Sequence, residues 1–187
     1  RDIPSAVETV KGGGWNRKAY MGTEVHGKTL GVVGLGKIGS EVARRMKVFG
    51  MEILAYDPFS TEEHAQQLGV QLVELEVLLA NSDYMTVHTP LTEKTKGLIS
   101  RKNKDAIKKG MRLVNCARGG IYEESDLVEL LDEGILGGVA LDVYSTEPPT
   151  EEIYQMLAHP KVICTPHLGA STEEAQEKVA KQIADQM

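Results

Sequence analysis

A glycine-rich turn is the first stretch of this sequence whose residue types and spacing could do chemistry. Gly34, Gly36 and Gly39 follow the pattern G-x-G-x-x-G between an apolar run at 30–33 and helical apolar spacing at 38–49. In that context the first glycine permits a tight turn, the second lets a pyrophosphate approach the backbone, and the third lets the helix pack on the strand. Free N–H groups and the positive end of the helix would hold the anion.

An acidic residue lies where a dinucleotide site would need one. Residues 51–58 have the pattern of a strand, and Asp57 ends it, 21 positions after Gly36. An acid at this position binds the adenosine ribose hydroxyls, although an aspartate at a strand end is otherwise often a turn residue. A carboxylate would repel a ribose 2′-phosphate, and Pro58 and Phe59 offer no arginine to receive one. The sequence therefore favours NAD over NADP.

Further reactive side chains fall at the ends of predicted strands. With Asp57 they are His88, Thr89, Pro90, Arg118, Asp142 and His167. Ligands of open α/β sheets bind beyond the carboxyl ends of the strands, so we expect these residues to face one crevice.

The elements that must position these residues alternate between strand and helix. Predicted strands occupy 30–33, 51–58, 70–73, 83–88, 111–115, 138–143 and 161–164, and predicted helices occupy 38–49, 60–68, 75–80, 103–109, 123–132 and the stretch after 171. This alternation predicts a Rossmann-type doubly wound parallel sheet with helices on both faces. Capping boxes are predicted at Ser60-x-x-Glu63 and Ser171-x-x-Glu174. The first helix would bury one face, formed by Ile38, Val42, Ala43, Met46 and Phe49.

The segment before the fingerprint is distinct from the rest of the chain. Residues 1–28 are predicted to be a connecting segment and possible dimer arm, and residues 29–187 the NAD-binding domain. Trp15, the only tryptophan, either packs on the domain's own surface or belongs to an arm that packs on a partner subunit. The chain starts at Arg1, which suggests a piece of a longer protein, although a tag scar or processing could also remove the initiator Met.

Composition excludes several classes of protein. The length of 187 residues suits one domain, and a net charge of −6 argues against a nucleic-acid or membrane-surface role. Because there is neither a signal peptide nor an apolar run approaching the ~18 residues of a membrane span, we expect a cytoplasmic protein. Cys116 and Cys164 form no disulfide framework and are expected to be buried or half-buried thiols. No metal site is expected.

Three motifs carry a resemblance to a known family. They are NCARGGIYEESDLVELL at 115–131, ALDVYSTEPP at 140–149 and PHLGASTEEAQ at 166–176. They closely resemble the D-2-hydroxyacid dehydrogenase family, and the resemblance runs from about residue 22 to 187. Within that family, NCARGG, PHLGAST and EAQ are most similar to members that oxidise 3-phosphoglycerate to 3-phosphohydroxypyruvate with NAD, the first step of L-serine biosynthesis.

The resemblance implies roles for particular residues. Arg118 would hold the substrate carboxylate and carbonyl oxygen, His167 would be the acid/base, and Glu147 would pair with that histidine. Asp142 would contact the nicotinamide carboxamide. His88 could reach the cofactor, or it could be satisfied by backbone. The implied cofactor-binding residues are Gly34, Gly36, Lys37, Ile38, Gly39, Asp57, Pro58, Thr89, Pro90, Cys116, Ala117, Arg118, Asp142, His167, Gly169 and Ala170.

The resemblance leaves the substrate and the activity of this piece open. Most of the family's second, substrate-binding domain is absent, so we expect this chain to bind NAD but to turn over substrate poorly or not at all. Another small anionic D-2-hydroxy acid, such as glycerate or lactate, is an alternative substrate. An NAD-sensing corepressor of the same fold is a non-enzymatic alternative. A homodimer or dimer-based oligomer is implied, through the segment around Trp15, Arg17 and Lys18.

Overall fold

A parallel sheet forms the centre of the molecule. The computed structural model describes residues 2–186, and in the last helix it describes side chains only for residues 173–178 and 181. Within this part the strands are β1 (Thr29–Val33), β2 (Glu52–Tyr56), β3 (Gln71–Leu72), β4 (Tyr84–Val87), β5 (Met111–Asn115), β6 (Leu136–Leu141) and β7 (Val162–Cys164). Their order is β3-β2-β1-β4-β5-β6-β7, and all neighbours are parallel. The predicted fold class is confirmed.

The strand order creates the crevice that the sequence predicted. Successive strands are added outward from β1 to β3, and the chain then returns to place β4 on the other side of β1. Such a switch point separates the loops at the carboxyl ends of β1 and β4 and leaves room for a ligand between them.

Helices connect the strands. They are α1 (Ile3–Lys11), α2 (Lys37–Val48), α3 (Glu62–Leu68), α4 (Leu75–Asn81), α5 (Glu124–Asp132), α6 (Glu151–Leu157) and α7 (Glu173–Gln186). Short 3-10 helices lie at Arg17–Tyr20 and Arg101–Ala106. The helix predicted at 103–109 is therefore wrong in type and position, because the Asn103 side chain bonds back to the N–H of Ser100 and favours a tight turn. The sequence analysis did not find α6, whose two buried residues, Ile153 and Met156, make too short a pattern.

Both predicted capping boxes are displaced by one residue. Thr61, not Ser60, caps α3, because its hydroxyl accepts from the N–H of His64 at 3.2 Å. The hydroxyl of Thr172, not Ser171, accepts from the N–H of Ala175 at 3.2 Å. In each case two hydroxyl residues are adjacent, and the sequence pattern alone cannot choose between them. The helical spacing of Ala175, Val179, Ala180 and Ile183 predicts that they form one face of α7, and the side chains of the last three lie outside the described part.

Two buried apolar clusters hold the sheet to its helices. Leu30 and Val32 of β1 belong to one cluster and Val33 to the other, as the alternation of side chains along a strand requires. The prediction for α2 is only partly right. Ala43 is fully buried, but Ile38 and Phe49 are 68% and 62% exposed. Ile38 lies in the first turn and Phe49 just beyond the last, so both lie at the ends of the face.

Candidate active site

The glycine turn joins β1 to α2 through close backbone contacts. Gly34 has a φ of 91°, and a Cβ there would lie 2.8 Å from the carbonyl oxygen of His88. A Cβ at Gly39 would lie 1.9 Å from the carbonyl oxygen of Gly34. A Cβ at Gly36 would meet nothing within 4 Å. The first and third glycines are therefore required by the fold, whereas the second leaves its backbone open to a ligand.

The carboxylate of Asp57 is bound to this turn. One oxygen accepts a hydrogen bond from the N–H of Leu35 at 2.8 Å, and the other accepts from the N–H of Phe59 at 2.9 Å. Pro58 and Phe59 are exposed. Each carboxylate oxygen has a second lone pair, so Asp57 can hold the turn and still accept from ribose hydroxyls.

The surroundings of the turn fit a dinucleotide. No side chain caps the N-terminus of α2 at Gly36, and Lys37 and Ile38 are exposed beside it. Among the described residues, the buried hydroxyl oxygen of Thr89 has no hydrogen-bond partner. Pro90 follows it at the surface. A helix N-terminus with open N–H groups attracts phosphate, and an unpaired buried hydroxyl is costly unless a ligand satisfies it.

A histidine–carboxylate pair lies at the carboxyl end of the other half of the sheet. Nδ1 of His167 is 2.7 Å from Oε2 of Glu147, and Oε1 of Glu147 accepts from the N–H of Tyr144 at 3.1 Å. The bond to His167 and then that from Tyr144 lower the pKa of Glu147 below its ordinary value. His167 has a φ of 53°, a strained conformation that is typical of functional positions. The pairing uses Nδ1 and leaves Nε2 as the nitrogen available for proton transfer.

Asp142 organises the loop that carries His167. The carboxylate accepts from the N–H of Leu168 at 2.8 Å and of Gly169 at 3.0 Å, and from the hydroxyl of Thr165. Burial raises the pKa of Asp142, but these hydrogen bonds outweigh it and the net pKa is below the ordinary value. Asp142 is thus an ionised group that orders residues 165–169 through their backbone.

The side chain of Asn115, the last residue of β5, makes two hydrogen bonds to the turn that carries Arg118. The Asn115 side chain donates to the carbonyl oxygen of Arg118 at 2.8 Å and accepts from the N–H of Ala117 at 3.0 Å. A Cβ at Gly119 would lie 1.9 Å from the carbonyl oxygen of Tyr144, so this turn packs on the loop that leads to Glu147. The structure therefore brings the backbone of Arg118 to the rim, defined as the connections that follow β5, β6 and β7 at the carboxyl edge of the sheet. Its exposed guanidinium does not contact the pair, because Nη1 donates to the carbonyl of Ala117 at 2.6 Å.

The expectation of buried or half-buried thiols is wrong. Cys116 and Cys164 are both exposed, because Cys116 follows β5 at the open rim and Cys164 ends the edge strand β7. The surrounding protein nevertheless partly desolvates the Cys116 thiol, which raises its pKa, and the carboxylate of Asp142 raises that pKa further. The thiol of Cys116 is therefore kept protonated. Among the residues whose side chains the structure describes, no group of His, Cys, Asp or Glu is arranged to hold a metal ion.

His88 makes a contact that neither sequence alternative named. Its Nε2 is 3.1 Å from the hydroxyl oxygen of Thr86, a side chain two residues earlier on β4. Burial lowers the pKa of His88, so the ring is neutral at physiological pH.

The sequence analysis missed residues that position the rim. Asn115 is 2% exposed, and a polar side chain at the last position of a buried strand was a usable signal, because such a group must be hydrogen-bonded. Tyr144, whose hydroxyl donates to the carbonyl of Thr165 at 2.7 Å, had no local signal. Gly169 and Ala170 follow His167 at the exposed rim.

These features define a class of protein. A doubly wound parallel sheet, a glycine turn with an acid bound to it, and a histidine–carboxylate pair at the same edge are the parts of a dinucleotide-binding dehydrogenase domain. Residues 1–169 match the family described as D-isomer specific 2-hydroxyacid dehydrogenase, NAD binding domain. The chain belongs to this family, and NAD as its cofactor is confirmed.

Relatives of known name agree with this assignment. The chain is 52% identical over 187 residues to the D-3-phosphoglycerate dehydrogenase of Bacillus subtilis, covering all of this chain and 35% of that protein. It is 49% identical to the enzyme of the same name from Rattus norvegicus, covering all of this chain and 34% of that one. This chain therefore spans about a third of the length of these relatives.

Solved structures share the fold. The pyruvate reductase of Chlamydomonas reinhardtii matches with a TM-score of 0.91 and 32% identity, over 97% of this chain and 59% of that one. The D-lactate dehydrogenase of Aquifex aeolicus, crystallised with NAD and lactic acid, matches with a TM-score of 0.88 and 28% identity, over 98% of this chain and 59% of that one. None of the described helices is both long and apolar enough to cross a membrane.

Proposed function

We propose that this chain is the NAD-binding catalytic domain of a D-3-phosphoglycerate dehydrogenase. The reaction is hydride transfer between 3-phosphoglycerate and NAD to give 3-phosphohydroxypyruvate, the first step of L-serine biosynthesis. The observation that carries the catalytic proposal is the 2.7 Å pair between Nδ1 of His167 and Oε2 of Glu147 at the carboxyl edge of the sheet. The choice of substrate is supported by the names of the relatives at 52% and 49% identity.

His167 is the acid/base. Glu147 holds Nδ1, so Nε2 accepts the hydroxyl proton of the substrate in oxidation and returns it in reduction. The negative charge of Glu147 stabilises the imidazolium that forms when the proton is taken up. The strained backbone of His167, fixed through the contacts of Asp142 with the next two residues, limits the positions that the ring can adopt.

Arg118 binds the substrate. A planar guanidinium can grip a carboxylate through two parallel hydrogen bonds and polarise the neighbouring carbonyl oxygen. In the described structure its contact is to a backbone carbonyl, which is weaker than a bond to an anion, so substrate can displace it.

The cofactor residues divide between the two halves of the sheet. When bound, NAD supplies the hydride acceptor. Residues of the first half hold the pyrophosphate and ribose ends: Gly34, Gly36, Lys37, Ile38, Gly39, Asp57 and Pro58. Residues of the second half and of the β4 loop line the nicotinamide end: Thr89, Pro90, Cys116, Ala117, Arg118, Asp142, His167, Gly169 and Ala170. A carboxamide amine reaching Asp142 would meet Oδ1, which already accepts from Leu168 and Thr165, and Oδ2, which accepts only from Gly169 and keeps a lone pair.

The length of the relatives, of which this chain covers about a third, supports a proposal for the arrangement of the whole protein. Residues 1–28 are the connecting segment and residues 29–187 the cofactor domain, and the substrate-binding domain comes from chain outside this sequence. The enzyme acts in the cytoplasm. Two copies associate through the first segment, where Trp15 and Met21 are 80% and 83% exposed. Light scattering of the purified chain tests this, and a monomer at high concentration would contradict it.

A steady-state assay tests the function. The longer protein that carries this domain is expected to oxidise NADH with phosphohydroxypyruvate at a rate on the order of the ~10 s⁻¹ enzyme median, whereas the isolated chain binds NADH with little turnover. Substitution His167→Ala in the longer protein should lower kcat by about 10³-fold, with a much smaller effect on NADH binding. Faster turnover of hydroxypyruvate or pyruvate would reassign the substrate to glycerate or lactate. Binding of NADH with no turnover of any 2-keto acid would favour a corepressor-like protein.

A further inference from the structure

We infer that Glu124 and Ser145 form a clamp that positions the catalytic rim, and that Glu124 is a positioning residue for the reaction proposed above. One carboxylate oxygen of Glu124 accepts from the N–H of Ser145, and the other accepts from its hydroxyl, both at 2.7 Å. The two residues lie 21 positions apart, in the connections that follow β5 and β6.

On one side the clamp is fixed to the connection that carries Arg118. Glu124 is the first residue of α5, directly after the turn at 116–123. Backbone hydrogen bonds join that connection to residues 98 and 99. The N–H of Leu98 donates to the carbonyl oxygen of Ile121, and the N–H of Glu123 donates to the carbonyl oxygen of Ile99. The backbone that carries Glu124 is therefore held in place by these hydrogen bonds.

On the other side the clamp controls the position of Glu147. Ser145 follows Tyr144, whose N–H donates to Glu147, and Glu147 in turn accepts from His167. The Tyr144–Ser145 peptide also lies against Gly119, next to Arg118. A shift of this one peptide would move the carboxylate that orients the histidine and the surface that supports the arginine together.

The geometry of the clamp makes it effective although it is at the surface. Two hydrogen bonds to one carboxylate fix both the distance and the orientation of Ser145, and hydrogen bonds to a charged acceptor are stronger than neutral ones. A displacement of about 1 Å among catalytic groups can lower a rate by about 10²-fold. A contact outside the reacting atoms can therefore matter for turnover.

The first test is made on this chain and does not depend on turnover. The carboxyl carbon of Glu147 is titrated by ¹³C NMR in the wild type, Glu124→Ala, Ser145→Ala and the matched control Glu123→Gln. Glu123 precedes Glu124, and its carboxylate bonds only to the neighbouring hydroxyl of Ser125 among the described contacts. We expect the pKa of Glu147 to rise towards its ordinary value in Glu124→Ala, to rise less in Ser145→Ala, and to stay unchanged in Glu123→Gln.

The sign of this shift separates geometry from charge. Removing a nearby negative charge alone would lower the pKa of Glu147, whereas loosening its pairing with His167 raises it. An unchanged or lowered pKa in Glu124→Ala, or the same rise in Glu123→Gln, overturns the clamp. If Glu124→Ala does not fold, the clamp is tested by comparing Ser145→Ala with the conservative variant Ser145→Thr. Threonine keeps both the N–H and the hydroxyl donor, so the pKa of Glu147 should rise in Ser145→Ala and stay at the wild-type value in Ser145→Thr.

The second test uses the longer protein. Glu124→Ala is expected to lower kcat about tenfold with the KM for NAD unchanged, and Glu123→Gln to leave both unchanged. Equal kcat in Glu124→Ala and the wild type contradicts the clamp. No turnover in the wild type contradicts the proposed function instead, and the NMR titration still tests the clamp.

Discussion

The glycine turn after β1 and the rim after β5, β6 and β7 are built by different means. In the turn, Gly39 lies so close to the backbone five residues earlier that an added Cβ would be 1.9 Å from the carbonyl oxygen of Gly34. In the rim, carboxylates reach across 20 to 27 residues, from Glu147 to His167 and from Asp142 to Gly169. The turn is therefore vulnerable to one added methyl group, and the rim to the loss of one charge.

A methyl group placed in the turn should give the largest effect. Gly39→Ala brings a Cβ to within 1.9 Å of a backbone oxygen that cannot move without breaking the turn. We expect a loss of about 3 kcal/mol or more in the free energy of unfolding, measured by urea denaturation. The matched control is Gly36→Ala, where a Cβ meets nothing and the stability should fall by no more than about 1 kcal/mol. NADH affinity should nevertheless fall in Gly36→Ala. Equal stability of the two variants would contradict the claim that the fold requires Gly39 but not Gly36.

A change of charge at the rim should have the next largest effect. Asp142→Asn keeps the shape of a buried side chain but replaces one acceptor oxygen with a donor that faces an N–H group. We expect a loss of about 2 kcal/mol in the free energy of unfolding and displaced amide NMR signals for Leu168 and Gly169. The amide signal of Ser40 in the glycine turn should not move. A matching displacement there would mean that the two regions are not independent.

Asp57 tests whether the turn also depends on a charge. Asp57→Ala removes the acceptor for two backbone N–H groups and, in the function proposed above, for the ribose hydroxyls. Calorimetric titration should show NADH binding weakened about tenfold, equivalent to about 1.4 kcal/mol, and the preference over NADPH lost. Retention of that preference would mean that another group excludes the 2′-phosphate.

Acid should loosen the rim, whereas the contact of Gly39 with Gly34 in the turn has no charge to lose, and this effect should be the smallest. The pKa values of Glu147 and Asp142 are below their ordinary values of 4.5 and 3.8. The stability that each contributes is therefore present above its ordinary pKa and is lost as the pH falls through the lowered folded value. In an NMR titration from pH 6 to about pH 3, the amides of Leu168 and Gly169 should shift while that of Gly39 stays in place. Simultaneous shifts at all three positions would indicate global unfolding instead.

What could be predicted from the sequence follows the same division. The parallel sheet, the glycine turn between β1 and α2 and the position of Asp57 directly after β2 were all found, because each depends on a contiguous stretch with its own period or spacing. Strand β5 was predicted with its bounds Met111–Asn115. The wrong predictions lie where neighbouring residues compete locally, as with Ser60 and Thr61, or where exposure depends on which elements cover a residue, as with Ile38 and the two cysteines.

The sequence by itself determined the fold class and the kind of cofactor, and its resemblance to a known family predicted that Glu147 pairs with His167, through motifs that are continuous in the chain. Only the tertiary structure decided how these residues are held: the bond between Glu147 and His167, the bonds of Asp142 to the next loop, and the clamp between Glu124 and Ser145. The physical reason is that a hydrogen bond between distant segments requires a particular distance and direction between its two atoms. The spacing of residues along the chain does not contain that distance or direction when the two residues are far apart in sequence.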